Sequence, residues 1–262
     1  MLTLERVRQV FPSGQDLVVA LAGIDLVLDR GDFLTVIGSN GAGKTTLLHV
    51  IAGNLIPTFG RVLIDGEDVT ATPAHRRARR IGRIVQDPLS GTAPTMTIAE
   101  NLALASKRSK RSLAVALTRR RRREFAEVLR PLGMGLERRL DDPAFLLSGG
   151  ERQALTVTMA TLARPDILLL DEHTAALDPA NARRIAELTE AFVERTGLTT
   201  LMVTHNMEQA IALGNRLVMM HKGEIVLELG GERKRSTKVP ELVSLFSHRH
   251  IADDELLLET AP

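Results

Sequence analysis

The chain has 262 residues, 44% of them hydrophobic, which is enough for a sizeable core in one domain or in a domain with an inserted lobe. Its net charge is only +2 and it has no cysteine, which excludes a disulfide framework and a thiolate metal site. No apolar run approaches the ~20 residues that a membrane-spanning helix needs, and no secretion signal follows Met1, so this chain is not expected to span a membrane.

Strand-like and helix-like segments alternate through the first third of the sequence. A turn is predicted at Ser13 and Gly14, and residues 43–52 repeat apolar side chains at helical spacing. Alternating or continuously apolar runs predict strands at residues 2–10, 24–28, 33–37, 61–64 and 81–85.

Helical periodicity then extends from residue 97 to about residue 163. After it come two strands, the helix between them and a hairpin, predicted at residues 167–170, 199–203, 180–195, and 218–220 with 225–227. The sequence therefore predicts an α/β core, a helical insertion and the return of the core, followed by a short acidic tail at residues 249–262.

Residues 38–46 have the composition of a phosphate-binding loop, or P-loop: Gly38, Ser39, Asn40, Gly41, Ala42, Gly43, Lys44, Thr45 and Thr46. The glycines let backbone N–H groups curl around an anion, and the following helix adds the positive end of its dipole. Lys44 is expected to reach the β- and γ-phosphates of ATP, and the Thr45 hydroxyl to ligate Mg²⁺. The motif follows a predicted strand and opens a predicted helix, which is the context it requires.

Polar residues at the ends of other strands complete the chemistry of hydrolysis. Asp171 ends an apolar strand and can hold Mg²⁺ through water, while Glu172, one residue later, can act as general base on the attacking water. Gln86 can order that water and sense the metal. His205 can contact the γ-phosphate, although a single histidine is often structural.

Residues 147–153 read Leu-Ser-Gly-Gly-Glu-Arg-Gln and predict a second anion-binding helix end. We call this segment the signature. Ser148 and Glu151 have the spacing of a capping box, and Gly149 and Gly150 leave the helix amides uncovered. Because the P-loop already cradles the phosphates of this chain, we expect a dimer in which each signature closes on the ATP of its partner. The alternative is a plain helix cap.

With these motifs in this order, the sequence from about residue 2 to residue 246 resembles an ATP-binding cassette (ABC) ATPase. The resemblance implies a P-loop NTPase core, with a RecA-like parallel sheet and an antiparallel β-subdomain, carrying a helical subdomain at about 97–163 and a tail at 247–262. It assigns Gln86 to the Q-loop, Asp178 to the D-loop and His205 to the H-loop. It also matches Phe11 to the aromatic that stacks on adenine; the alternative is a core residue near a turn.

One departure concerns His173, since the family usually has Asp-Glu-Pro-Thr where this chain has Asp-Glu-His-Thr. Together with residues 82–88 and 91–94, this extension resembles a bacterial importer subgroup, often proposed to carry amino acids, especially aromatic ones. The subgroup implies an integral membrane permease as direct partner, a periplasmic or lipoprotein-like substrate-binding protein as indirect partner, and a peripheral location on the cytoplasmic face of the inner membrane.

Two other functions use the same motifs: an exporter or lipid-extraction ATPase, and a soluble machine of DNA repair or translation. Nine cations without an intervening acid bear on this choice: Lys107, Arg108, Lys110, Arg111 and residues 119–123. They are either a solvated helix face or a contact for anionic lipid or nucleic acid. No aromatic residues are interleaved for base stacking, so no nucleic-acid partner is expected.

Overall fold

The computed structural model describes residues 1–14, 16–87, 90–106 and 117–247. Strands in the described chain are β1 Leu2–Ser13, β2 Asp16–Leu28, β3 Phe33–Gly38, β4 Phe59–Ile64, β5 Glu67–Asp68, β6 Ile81–Ile84, β7 Ile167–Asp171, β8 Thr199–Val203, β9 Arg216–His221 and β10 Glu224–Gly230. Helices are α1 Lys44–Ala52, α2 Ala74–Arg77, α3 Ile98–Ala105, α4 Arg119–Leu129, α5 Gly149–Leu162, α6 Pro179–Thr196, α7 Met207–Ala212, α8 Gly231–Ser236 and α9 Val239–Ser247. Pro88, the cations Lys107, Arg108, Lys110 and Arg111, and the tail at 249–262 lie outside the described residues.

The chain divides into two compact units, one formed by Met1–Arg77 with the chain from Gly197 onwards, the other by Ala78–Thr196. In the first unit, an antiparallel sheet has the strand order β2-β1-β4-β5. A second group of strands places β3 between β8 and β9, both parallel to it, with β10 antiparallel to β9. All six residues of β3 are buried, as expected for a strand inside a parallel arrangement.

A buried arginine fixes the end of α1 in this unit. Arg77 is 2% exposed, and its guanidinium donates to the carbonyl oxygens of Val50 and Ile51, both at 2.8 Å. Helix ends leave carbonyl groups without helical partners, so a cation there satisfies them. Its other hydrogen bonds go to the carbonyls of Thr72, Val69 and Thr70. Arg77 thus holds the helix that begins at the P-loop.

The second unit combines two parallel strands with helices. Strands β6 and β7 pair in register from Ile81 opposite Ile167 to Ile84 opposite Leu170. Helices α3, α4 and α5 share a buried core that includes Leu102, Phe125 and Leu155. Both α3 and α5 begin with a complete capping box. These three helices fall within the predicted insertion at about 97–163, and the division into a domain at 1–246 and a tail remains a prediction.

The predicted elements occur in the structure, but one strand starts earlier than predicted, and the short elements β5, α2, α7, α8 and α9 were not predicted. The hairpin predicted near residues 218–227 is the β9–β10 pair. The strand predicted at 24–28 was too short, because β2 begins at Asp16. Residues 17–21 are a continuous apolar run, a strand signal that the prediction left out, and most of them pair with β1 although they are exposed.

Candidate functional site

The P-loop connects β3 to α1 and is shaped by close backbone approaches. A Cβ at Gly38 would lie 2.2 Å from the carbonyl oxygen of Met220, and one at Gly43 would lie 2.3 Å from that of Ala20. Both glycines have positive φ values, 151° and 98°. Only glycine fits these two positions, which is why the loop can curl as the sequence predicted.

The same loop has the properties of an anion site. Gly43 begins α1 without a side-chain cap, and no acidic residue lies in the first turn. Around Gly41, by contrast, a Cβ would meet open space. Lys44 is 7% exposed, and its Nζ donates to the carbonyl oxygens of Gly38 at 2.5 Å and Ser39 at 2.9 Å. An uncapped helix end beside a buried ammonium group fits the phosphates of a nucleotide.

Two other predicted residues belong to this unit. His205 is exposed and follows β8, whose neighbour β3 leads into the P-loop; the carboxyl ends of these parallel strands lie at one edge. Phe11 is half-buried on β1 opposite Val18 of β2, and β2 reaches the P-loop at Ala20. The first unit therefore brings the P-loop and His205 to one edge and places Phe11 on a strand next to one that touches the loop.

The second unit gathers the predicted catalytic polar residues at the carboxyl end of its strand pair. Asp171 is the last residue of β7 and is 8% exposed, and Gln86 is exposed two residues after β6. Glu172 is half-buried with a φ of 44°, in the left-handed region that non-glycine residues rarely adopt. An Arg83 Nη2 donates to Asp171 Oδ2 at 3.2 Å.

The signature residues begin α5, as the sequence predicted. The Glu151 N–H donates to Ser148 Oγ at 3.3 Å, and the Ser148 N–H donates to Glu151 Oε2 at 2.8 Å. Ser148 and Gly149 are exposed, whereas Gly150 is buried against Asn181, whose Cγ would lie 3.0 Å from an added Cβ.

Asp178 is held beside the signature through this asparagine. Its carboxylate accepts hydrogen bonds from the Asn181 N–H at 3.1 Å and from Asn181 Nδ2 at 2.7 Å. These bonds, the backbone one first, hold the pKa of Asp178 below its usual value. The second unit thus places the predicted signature and D-loop residues next to each other.

The side chains present suit a metal ion that is held partly by the nucleotide. Among the described residues, no group of three or more His, Cys, Asp or Glu side chains forms a cage for a cation. Mg²⁺ is usually held by one or two carboxylates together with phosphate oxygens and water. In the second unit the Asp171 carboxylate, and in the first unit the exposed Thr45 hydroxyl, are each an oxygen ligand of the kind that Mg²⁺ prefers.

A sequence profile of the family described as "ABC transporter" matches residues 21–175, which include the P-loop, the signature, Asp171 and Glu172. The chain belongs to the ABC transporter family. Its cassette is an ATPase: it binds ATP and hydrolyses it. In the part of the chain that the structure describes, no helix is both long and apolar enough to cross a membrane.

Relatives of this ABC cassette are named after several transported solutes. It is 37% identical over 250 residues to a "Tyrosine transport ATP-binding protein" of Clostridioides difficile, covering 95% of this chain and 99% of that protein. It is 35% identical over 233 residues to the "Methionine import ATP-binding protein MetN" of Cupriavidus metallidurans, covering 86% of this chain and 64% of that one. It is also 35% identical over 226 residues to the "Glycine betaine/carnitine/choline transport ATP-binding protein OpuCA" of Bacillus subtilis, covering 86% and 57%. The chain thus spans nearly the whole tyrosine relative but less than two thirds of the other two.

Solved cassettes share the fold. The dimeric post-hydrolysis state of the ATP-binding cassette MJ0796, bound to ADP and Pi, superposes with a TM-score of 0.76 at 28% identity, over 88% of this chain and 98% of that one. The ADP conformation of MJ1267 gives a TM-score of 0.76 at 27% identity, over 94% and 98%.

Sequence reasoning missed Arg83 and Arg139 as neighbours of site residues. Arg139 Nη1 donates to Glu151 Oε1 at 2.7 Å, and Arg83 contacts Asp171. The strand pairing could have indicated Arg83, because Leu169, its partner across the ladder, is on the same face of β7 as Asp171. No local pattern indicates Arg139, which lies twelve residues before Glu151.

Proposed function

We propose that this ABC cassette is the ATP-hydrolysing subunit of a bacterial importer for an amino acid or a related small solute. The observation that carries the proposal is the 37% identity to a tyrosine transport ATP-binding protein over 95% of this chain and 99% of that protein. Identity over nearly the full length of both chains supports a shared task more than a match to the cassette motifs alone.

The nucleotide roles follow from residue chemistry. The P-loop backbone from Gly38 to Thr46 binds the phosphates, and Lys44 supplies the positive charge at the β- and γ-phosphates. Thr45, Asp171 and Gln86 hold Mg²⁺, directly or through water, and Mg²⁺ neutralises the charge that develops on the phosphates.

Hydrolysis requires a base for the attacking water. Glu172 takes that role, because it directly follows Asp171 and is held in an unusual backbone conformation. Gln86 orders the water, and His205 contacts the γ-phosphate from the edge next to the P-loop. Phe11 stacks on the adenine ring, an arrangement supported by the half-buried position of its side chain on β1.

A second copy of the chain completes each ATP site. The α5 N-terminus, with Ser148, Gly149, Gly150 and Glu151, faces the ATP held by the P-loop of the partner, and Asp178 lies beside that contact. The dimeric MJ0796 cassette supports this assembly for the present chain.

The other partners are a membrane permease and, indirectly, a substrate-binding protein. The cassette itself is a peripheral protein on the cytoplasmic face of the membrane. Specificity for the solute belongs to these partners, so the nucleotide-site residues name no substrate.

The test is uptake by cells that lack the chromosomal copy of this gene. Radiolabelled tyrosine, phenylalanine and methionine are supplied separately, and the gene is restored as wild type or as Lys44→Ala. We expect one of these amino acids to enter only with the wild-type gene. Uptake that the deletion leaves unchanged for all three amino acids would overturn the proposal. Slower loss of preloaded amino acid from the deletion strain would indicate export instead, because deleting an exporter slows that loss.

A further inference from the structure

The Arg83–Asp171 ion pair is a feature of the site that the proposed hydrolysis does not use. Arg83 lies on β6 opposite Leu169 of β7 in a parallel pair. Partner residues in parallel strands project to the same face, and so do residues two apart on one strand. Arg83 therefore reaches along the sheet to Asp171, about 6.6 Å beyond Leu169 at the usual strand rise.

This ion pair lacks the geometry of a purely structural one. The Arg83 Nη2 contacts one oxygen of Asp171 at 3.2 Å, and in the described part of the chain its buried Nε has no hydrogen-bond partner. Directly before the same two strands, Arg80 Nε contacts Asp166 at 2.7 Å. Charge-assisted pairs are usually shorter than 3 Å and often bidentate for arginine, so the Arg83 pair is not optimised for stability.

The pair also occupies the carboxylate that the proposed function assigns to Mg²⁺. The side chain of Asp171 is 12% exposed and that of Arg83 is 21% exposed, so solvent screens their interaction only in part. Arginine remains charged at every physiological pH. A guanidinium and a divalent cation that share one carboxylate repel each other, so the binding of one weakens the binding of the other.

We propose that Arg83 is a positioning residue that holds the Asp171 carboxylate and competes with Mg²⁺ for it. The inference rests on the proposed assignment of Asp171 to Mg²⁺. Because of this competition, ATP binding requires a higher Mg²⁺ concentration than the site would otherwise need. The ion pair also keeps the buried Asp171 carboxylate from being left unpaired between rounds of hydrolysis.

The test measures Mg²⁺-dependent binding of a fluorescent ATP, mant-ATP, without turnover. All variants carry Glu172→Gln, and MgCl₂ is raised at fixed protein and mant-ATP. We expect Arg83→Gln to lower the half-saturating Mg²⁺ concentration by about fivefold or more. Arg83→Lys should stay near the parent because it keeps the charge. Arg80→Gln removes the neighbouring ion pair at the other end of the strands and should leave the half-saturating concentration unchanged.

A second readout is the melting temperature with EDTA and with MgCl₂ plus ATP. Arg83→Gln should melt lower than the parent in EDTA and gain more from Mg²⁺ and ATP than the parent gains. If Arg83→Gln does not fold, Arg83→Met retains the apolar part of the side chain and replaces it. An unchanged or raised Mg²⁺ requirement in the folded variant overturns the inference. Asp171→Asn separates the two proposals: if it leaves the Mg²⁺ dependence of mant-ATP binding intact, the assignment of Asp171 to Mg²⁺ fails, whatever Arg83 does.

Discussion

Glu172 has a φ of 44°, a conformation that a residue with a side chain keeps only where its surroundings enforce it. Its backbone carbonyl accepts from the N–H of Ala175 at 2.9 Å, which closes a turn directly after β7. This backbone conformation sets the direction in which the Glu172 side chain leaves the turn. Such preorganisation is what a general base needs, because it must meet the attacking water in one geometry.

Glu172→Gln should retain ATP binding and lose most hydrolysis. The amide has the shape of the carboxylate but cannot accept the proton, and positioned bases contribute roughly 10²–10⁴-fold in rate. Phosphate release gives the rate, and size-exclusion chromatography with ATP should show an accumulated dimer. Glu187→Gln, at an exposed position on α6, is the control. Hydrolysis near the wild-type rate would remove Glu172 from the proposed role.

His173 stands where the family usually has proline, and the structure shows that it is 2% exposed. Its Nε2 has no hydrogen-bond partner among the described residues. Burial without a partner disfavours the charged form and lowers the pKa of His173 from 6.5 to about 4. The imidazole is therefore neutral in the folded protein at physiological pH.

The free energy of unfolding should decrease as the pH is lowered, because of His173. Above pH 6.5 the imidazole is neutral in both states, but below it the unfolded chain binds a proton that the folded chain excludes down to about pH 4. This linkage removes roughly 2 kcal/mol between pH 7.5 and pH 5. Urea unfolding in EDTA measures it. His173→Leu should flatten the slope relative to wild type, whereas the exposed His75→Leu should not; equal slopes for His173→Leu and wild type would contradict a buried neutral imidazole.

At the level of elements, helices α3 and α5 allow two N-terminal caps to be compared, one inside the proposed ATP site and one outside it. Both begin with a complete capping box, Thr97 with Glu100 and Ser148 with Glu151. A capping serine or threonine replaced by alanine typically costs about 1 kcal/mol. Ser148→Ala and Thr97→Ala should therefore lower unfolding stability similarly, but only Ser148→Ala should also slow ATP hydrolysis. If Ser148→Ala hydrolyses ATP as fast as Thr97→Ala, Ser148 acts only as a helix cap.

The arginines at the start of α4 are partly engaged within their own unit. Arg122 pairs with Asp141 at 2.8 Å, and Arg121 donates to Ser106 Oγ at 2.8 Å while lying 5.7 Å from the centre of the Phe125 ring. Arg120 pairs with Glu124 at 3.0 Å. These contacts favour a structural role for the middle of the run, whereas the structure attributes no such contact to Arg119 or Arg123 among the described residues.

We predict that the cationic run at residues 107–123 faces a membrane surface or the permease, and the arginines without such contacts in the described part of the chain are the ones to test. Arg119→Gln with Arg123→Gln should weaken binding to anionic liposomes more at low salt than at high salt, because salt screens exposed charges within about a Debye length. The melting temperature and basal ATPase activity should stay unchanged. Arg121→Gln with Arg122→Gln is the comparison and should lower the melting temperature. Tight DNA or RNA binding at 0.15 M salt that the first pair abolishes would instead favour a nucleic-acid machine.

At the level of the whole molecule, the proposed dimer shares each ATP site between two chains. Mixing Lys44→Ala chains with Ser148→Arg chains should place both defects in one composite site of the heterodimer and leave the other intact. Such mixtures should therefore bind ATP at one site per heterodimer, measured by calorimetry on differently tagged, co-purified chains. If Ser148→Arg instead weakens ATP binding only in its own subunit, the arrangement between two chains is wrong.

Much of this protein follows from short-range sequence patterns. The P-loop, the α5 capping box and the β9–β10 hairpin each depend on residues within about ten positions of one another, so spacing and side-chain type were enough to predict them. The order of these motifs likewise indicated the family. The start of β2 was missed although residues 17–21 form a continuous apolar run; most of them are exposed, and pairing with β1 places them in the strand.

Only the tertiary structure decided which polar side chains meet over long separations. Arg83 reaches Asp171 across 88 positions, and Arg77 reaches Val50 across 27. No local sequence pattern distinguishes these two arginines from the many arginines on the surface. Their partners are set by strand register and by where a helix ends against its neighbours, and both are determined only when the whole hydrophobic core packs.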